Sequence, residues 1–72
     1  MYKFKFRYID GAFIVAENVR EVRYRYGDSV VCVKENDLLT HDYSIYTDMT
    51  LIGDNESYRI SAKDLRSIEI AK

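Results

Sequence analysis

One histidine and one cysteine stand in a chain of 72 residues, so constellations built on either have a single member to draw on. Cys32 lies in the run Val30-Val31-Cys32-Val33, the setting of a small buried hydrophobe rather than of a catalytic thiol. His41 is followed by Asp42. Neighbours on an extended strand point to opposite faces, so adjacency does not bring imidazole and carboxylate together. Asp28, Asp37, Asp42, Asp48 and Asp54 are scattered among turn-forming residues, where aspartate bonds its own backbone, and none follows the spacing of a calcium loop. Gly11, Gly27 and Gly53 are isolated, so no phosphate-cradling loop is present. The sequence therefore assigns no catalytic, cofactor-binding or metal-ligating residue, and the expectation is a protein that acts by binding rather than by catalysis.

Binding chemistry is better represented. Tyr2-Lys3-Phe4-Lys5-Phe6-Arg7-Tyr8 and Arg23-Tyr24-Arg25-Tyr26 interleave cations with aromatics. Small β-barrels use that mixture to hold phosphates and stack bases. Lys3, Lys5, Arg7, Arg20, Arg23 and Arg25 are accordingly the candidate nucleic-acid-binding residues, and the two segments could pair as antiparallel strands. Strict alternation works against stacking, because it sends the aromatics to one face and the cations to the other. The sequence pI of 5.7 also works against it. A second candidate surface is acidic. Residues 28–56 carry seven carboxylates opposed only by Lys34, which suits imitation of a nucleic-acid backbone or docking on a basic partner, although turn aspartates explain the same residues. Seven tyrosines, a residue type enriched at interfaces, make Tyr43 and Tyr46 candidates for protein contact.

These side chains must be positioned by strands. Residues 2–8 alternate with period two, and Asp10-Gly11 follows, the signature of a tight hairpin with a type I′ turn. The spacing predicts further strands over residues 12–17, 21–26, 29–35, 49–52, 57–61 and 67–71, separated by turns at Gly27-Asp28, Asn36-Asp37 and Gly53-Asp54-Asn55. The valine-rich strand at 29–35 reads as well buried. Residues 38–48 are ambiguous: Leu38-Leu39-Thr40-His41 fits an irregular turn or a short strand, and Tyr43, Ile45 and Tyr46 look extended. Residues 61–65 could form a single helical turn capped by Ser61. No window of a dozen residues keeps a helical period. The expected fold is one all-β domain over residues 1–72, a small antiparallel barrel or curled sheet of six to eight short strands.

A weak internal repeat runs at an offset of 46. Ala16-Glu17-Asn18-Val19-Arg20 aligns with Ala62-Lys63-Asp64-Leu65-Arg66, each leading into a strand. Asn18 and Asp64 tolerate turn geometry, while Val19 and Leu65 would plug the core, so two β-corners of one design are expected.

Composition bounds the remaining possibilities. Apolar residues make up 47% and charged residues 32%, an ordinary globular balance, and no apolar run approaches the roughly 18 residues of a membrane-spanning helix. The alternating first residues lack the apolar core of a signal peptide, and with an unpaired cysteine they suggest a reducing cytoplasm. A chain this short buries only about 60% of its unfolded surface. With neither disulfide nor metal to reinforce it, oligomerisation is the expected source of extra stability. The net charge of −1 divides into +3 over residues 1–26 and −4 over residues 27–72, which suits two faces of opposite sign unless strand pairing mixes the charges.

The layout Phe-x-Phe-x-Tyr-x-Asp-Gly at 4–11, Ala-x-Asn-Val-x-x-Val-x-Tyr at 16–24 and Tyr-x-Ile-x-Ala-x-x-Leu-x-x-Ile-x-Ile at 58–70 resembles small phage and mobile-element proteins of low-GC Gram-positive bacteria. The resemblance implies a cytoplasmic setting and an accessory, non-enzymatic role, and it carries over no functional residue. Three expectations follow. The first is a self-associating interaction module, for example an accessory or inhibitor protein of a phage or mobile element. The second is a nucleic-acid-binding small barrel using the basic segments 3–7 and 20–25. The third is a small-ligand binder, for example of a nucleotide, at a subunit interface.

Overall fold

Alternation over the first eight residues sets the architecture. In the computed structural model, which describes residues 2–72, Phe4 and Phe6 are fully buried while Lys3 and Arg7 face solvent. Seven strands follow in order: β1 (Tyr2–Tyr8), β2 (Phe13–Val19), β3 (Glu21–Tyr26), β4 (Ser29–Val33), β5 (Met49–Ile52), β6 (Ser57–Ile60) and β7 (Leu65–Ala71). They form two antiparallel sheets, one of order β2-β1-β7 and one of order β4-β3-β5-β6, with no closed barrel. The fold is thus the expected all-β class in its curled rather than closed form. The two basic segments do not pair as the sequence suggested: β1 lies between β2 and β7, and β3 between β4 and β5.

The inner faces share one core. Phe4, Phe6, Ala16, Val19 and Leu65 come from the first sheet, and Val22, Val33, Met49, Leu51 and Ile60 from the second. Leu38 enters from the segment between β4 and β5 and is fully buried. Residues 38–48 form neither strand nor helix beyond a 3-10 turn at Glu35–Asp37 that leads into them. Tyr43 and Ile45 nevertheless pack on the core, so this segment covers the mouth between the sheets.

The chain crosses between sheets twice, at the two places the internal repeat marks. Asn18 has φ +57° and Asp64 φ +63°, the only non-glycine residues in the left-handed region among those described. Each is followed by a plug, Val19 or Leu65, that is buried. L-residues visit this conformation at a cost, least for asparagine and aspartate, whose short polar side chains tolerate it. At the first corner the β1–β2 register slips between Tyr2 and Phe4, which leaves an extra residue in β2. Only Arg20 separates β2 from β3, and its N–H donates to the Ile52 carbonyl at 2.8 Å. Gly53 packs against this corner so closely that a Cβ would lie 3.0 Å from the Asn18 carbonyl oxygen. At the second corner the β1–β7 register slips between Arg7 and Tyr8. The helical turn expected at 61–65 is absent. Asp64 breaks it with its positive φ, and Leu65 already belongs to β7.

Two more local expectations are corrected. The hairpin at Asp10-Gly11 is not type I′, because only Gly11 has positive φ. Bonds from Gly11 N–H to the Tyr8 carbonyl and from Tyr8 N–H to the Ala12 carbonyl define a three-residue loop with glycine at the bulge. Strand β4 is an edge rather than a well-buried strand. Val33 is buried, but Val30 is 60% exposed and Cys32 faces solvent. A run of valines reads as covered on both faces, whereas here the outward side of β4, with Val30 and Cys32, is left uncovered among the described residues.

Candidate anion-binding groove

The six cations singled out in the sequence divide between two outer faces. On the first sheet each has a neighbour. Lys3 lies 3.9 Å from Glu17, Arg7 pairs with Glu69 at 2.6 Å, and the Lys5 ammonium sits 4.8 Å from the centroid of the Phe13 ring. Arg20, at the crossing, pairs with Asp54 at 2.6 Å. This arrangement follows from cross-strand register, which sets Lys5 opposite both Val15 and Glu69 and keeps carboxylates within reach.

The second sheet differs. Register places Cys32, Arg23, Thr50 and Arg59 in one row across all four strands, with Arg25 beside Val30 one row further along. Arg23, Arg25, Thr50 and Arg59 therefore converge on one side of a groove of about 810 Å³, closed by Tyr46 and Asp48 from the segment before β5. Arg25 and Arg59 enter no ion pair among the described residues. Arg23 is held by Glu21, which also receives Lys34 at 2.8 Å. The hydrogen bond from Arg23, followed by that from Lys34, brings the Glu21 carboxyl down to about 2, and the same contact raises the Arg23 guanidinium. Asp48, the one carboxylate in the groove wall, has an oxygen occupied by the backbone N–H of Ala62 at 2.7 Å. Tyr46 is 87% exposed.

The groove thus offers two unpaired guanidiniums, a third attached to the largely covered carboxylate of Glu21, a threonine hydroxyl and a free aromatic ring. Guanidinium forks match phosphate and carboxylate oxygens, and a tyrosine face stacks on a flat partner. Of the sequence candidates the structure brings together Arg23, Arg25 and Tyr46. It leaves Lys3, Lys5 and Arg7 on the opposite sheet, Arg20 at the crossing and Tyr43 in the core. The Tyr43 hydroxyl donates to the Leu38 carbonyl at 2.8 Å, its ring meets Phe4 edge-on at 5.6 Å, and burial pushes its ionisation up to about 12. His41 also has a structural part: its Nε2 lies 2.8 Å from the Tyr24 hydroxyl and its ring lies against Tyr43. Arg59 was missed. Its outward phase was visible between Tyr58 and Ile60, but its place two strands from Arg23 depends on topology. No group of three or more histidine, cysteine, aspartate or glutamate side chains suited to a metal ion occurs among the described residues.

No family model, curated protein or solved structure matches this chain. Among the described residues no helix is long and apolar enough to cross a membrane.

Proposed function

We propose that this protein is a non-catalytic binding module that holds a single-stranded nucleic acid in the groove of the second sheet. The observation that carries the reading is the convergence of the unpaired Arg25 and Arg59 with Arg23 beside the exposed Tyr46. Phosphates take the guanidiniums and a base stacks on the tyrosine, a combination that tolerates sequence. An overall charge of −1 does not oppose this, because the acidic residues that balance the sum lie largely outside the groove. Fluorescence anisotropy with a labelled oligonucleotide tests it. Each phosphate neutralised on a single strand contributes about −0.7 to the slope of log affinity against log salt. Three arginines give a slope of about −2, and Arg25→Ala with Arg59→Ala makes it shallower. Absence of binding at low salt, a slope the two substitutions do not change, or equal binding of a polyglutamate peptide overturns the reading, the last in favour of an acidic protein partner.

A second reading, self-association, rests on β4. Residues 29–33 carry no charge, pair on one side only and expose Val30. An edge lacking charge, proline and bulge is open to another strand. Two-fold antiparallel pairing with a second copy sets Val31 beside its own counterpart and brings no like charges together. Light scattering over a range of concentrations should show a dimer that Val30→Lys dissolves; a monomer at high concentration rejects the idea.

A further inference from the structure

A second cavity adjoins the groove. It measures about 190 Å³ and lies at the C-terminal end of β3, lined by the tyrosines Tyr24, Tyr26 and Tyr43 and by Asp42, with Thr47 and Met49. Tyr24, Thr47 and Met49 also line the groove, so the two spaces meet there. Two of the rings are fixed in place: the Tyr24 hydroxyl by His41 at 2.8 Å, and that of Tyr43 by the Leu38 carbonyl at 2.8 Å. Tyr26 is 76% exposed at the entrance. Asp42 enters no ion pair among the described residues and is solvent-exposed. The result is a preformed aromatic slot with one unpaired carboxylate on the inward phase of β3, joined at Tyr24, Thr47 and Met49 to the groove whose arginines stand on the outward phase.

Resting on the groove reading, we infer that this slot takes one base of the bound strand and that Asp42 selects guanine. The chemistry of the base edges decides among the four. Guanine presents two adjacent donors, N1–H and the N2 amino group, spaced to meet both oxygens of a carboxylate. Adenine and cytosine each present one amino donor next to a ring acceptor that repels the carboxylate. Thymine and uracil flank their single N–H with two carbonyls. Unstacked bases in single strands are read on this edge while aromatic rings hold their faces. The arginines receive the flanking phosphates, and the anionic Asp42 stands apart from them, at the base rather than at the backbone.

Anisotropy with four short thymine strands, carrying at one central position guanine, hypoxanthine, adenine or thymine, tests the inference. The guanine strand should bind roughly tenfold tighter than the adenine and thymine strands, the discrimination of one two-bond base contact. Hypoxanthine lacks only the N2 amino group and should lose most of that gain. Asp42→Asn should bring the guanine strand down to the level of the thymine strand. Equal affinity for all four strands, or a guanine preference that survives Asp42→Asn, overturns the slot while leaving the groove standing. If no strand binds at low salt, the groove and the slot fall together.

Discussion

The outer faces of the two sheets carry the same chemistry and treat it differently. Both display cations on the outward phase of a strand whose inward phase is aromatic or aliphatic. On the first sheet those cations have cross-strand or same-face partners, Glu17, Glu69 and the Phe13 ring, on a plain sheet surface. On the second, Arg25 and Arg59 have none, and the segment before β5 raises a wall beside them. The number of cations is therefore a poor guide to binding. What separates the faces is which carboxylates the register delivers and whether a loop encloses the result.

Removing two charges from each face should expose the difference most strongly. Arg25→Ala with Arg59→Ala is expected to weaken oligonucleotide binding roughly hundredfold, about tenfold for each lost charge-assisted contact. Lys3→Ala with Arg7→Ala changes net charge by the same amount and should cost no more than roughly threefold through long-range attraction alone. Anisotropy at one fixed salt concentration compares the pairs. Equal losses would mean that the protein senses only its total charge, and the groove would have no special standing.

A smaller effect, of opposite sign, is expected at Glu21. This carboxylate holds Arg23 and Lys34, so it competes with any anion in the groove. Glu21→Gln should release Arg23 and tighten oligonucleotide binding several-fold. The pH dependence has a definite sense. The Arg23 and Lys34 contacts bring the folded Glu21 down from 4.5 to about 2. The stabilisation from these contacts is complete above the unfolded value and is lost as pH falls through the window between 4.5 and about 2. Carbon-detected NMR titration of the side-chain carboxyl should give a midpoint near the lower figure. A midpoint at the ordinary value would show that Arg23 is already free.

Much of this comparison was legible in the sequence, because alternation fixes phase. Period two put Phe4 and Phe6 inside and Lys3 and Arg7 outside. The repeat of Ala16-x-Asn18-Val19-Arg20 at Ala62-x-Asp64-Leu65-Arg66 located both crossings, since few residues besides asparagine and aspartate accept the left-handed corner. Strand neighbours were not legible. Hydrophobic phase says which face a residue occupies and nothing about which strand lies beside it, so Arg59 could not be joined to Arg23, and β1 could not be kept from β3. The edge position of β4 was hidden for the same reason, and Cys32 with it. Residues 38–48 lack any period, so neither the burial of Leu38 and Tyr43 nor the exposure of Tyr46 had a signal to follow.

The finest separation of the two faces comes from freeing an arginine on the face without a groove. Arg7 and Glu69 form a 2.6 Å pair with both side chains about half exposed, and Arg7 lowers the Glu69 carboxyl. Exposed pairs of this kind contribute little to stability, because water and salt screen them and two long side chains lose freedom. Glu69→Gln should leave the melting temperature within roughly 4 °C. It releases Arg7 in the same sense that Glu21→Gln releases Arg23, with the same change in net charge. Yet Arg7 stands beside Ser67 and Phe13 on an open sheet, with no wall beside it to exclude water. The expected gain in oligonucleotide affinity is therefore less than roughly twofold, the share owed to net charge alone. A gain matching that of Glu21→Gln would move the binding surface to the first sheet. A gain confined to Glu21→Gln ties affinity to the enclosure of the arginines rather than to their release.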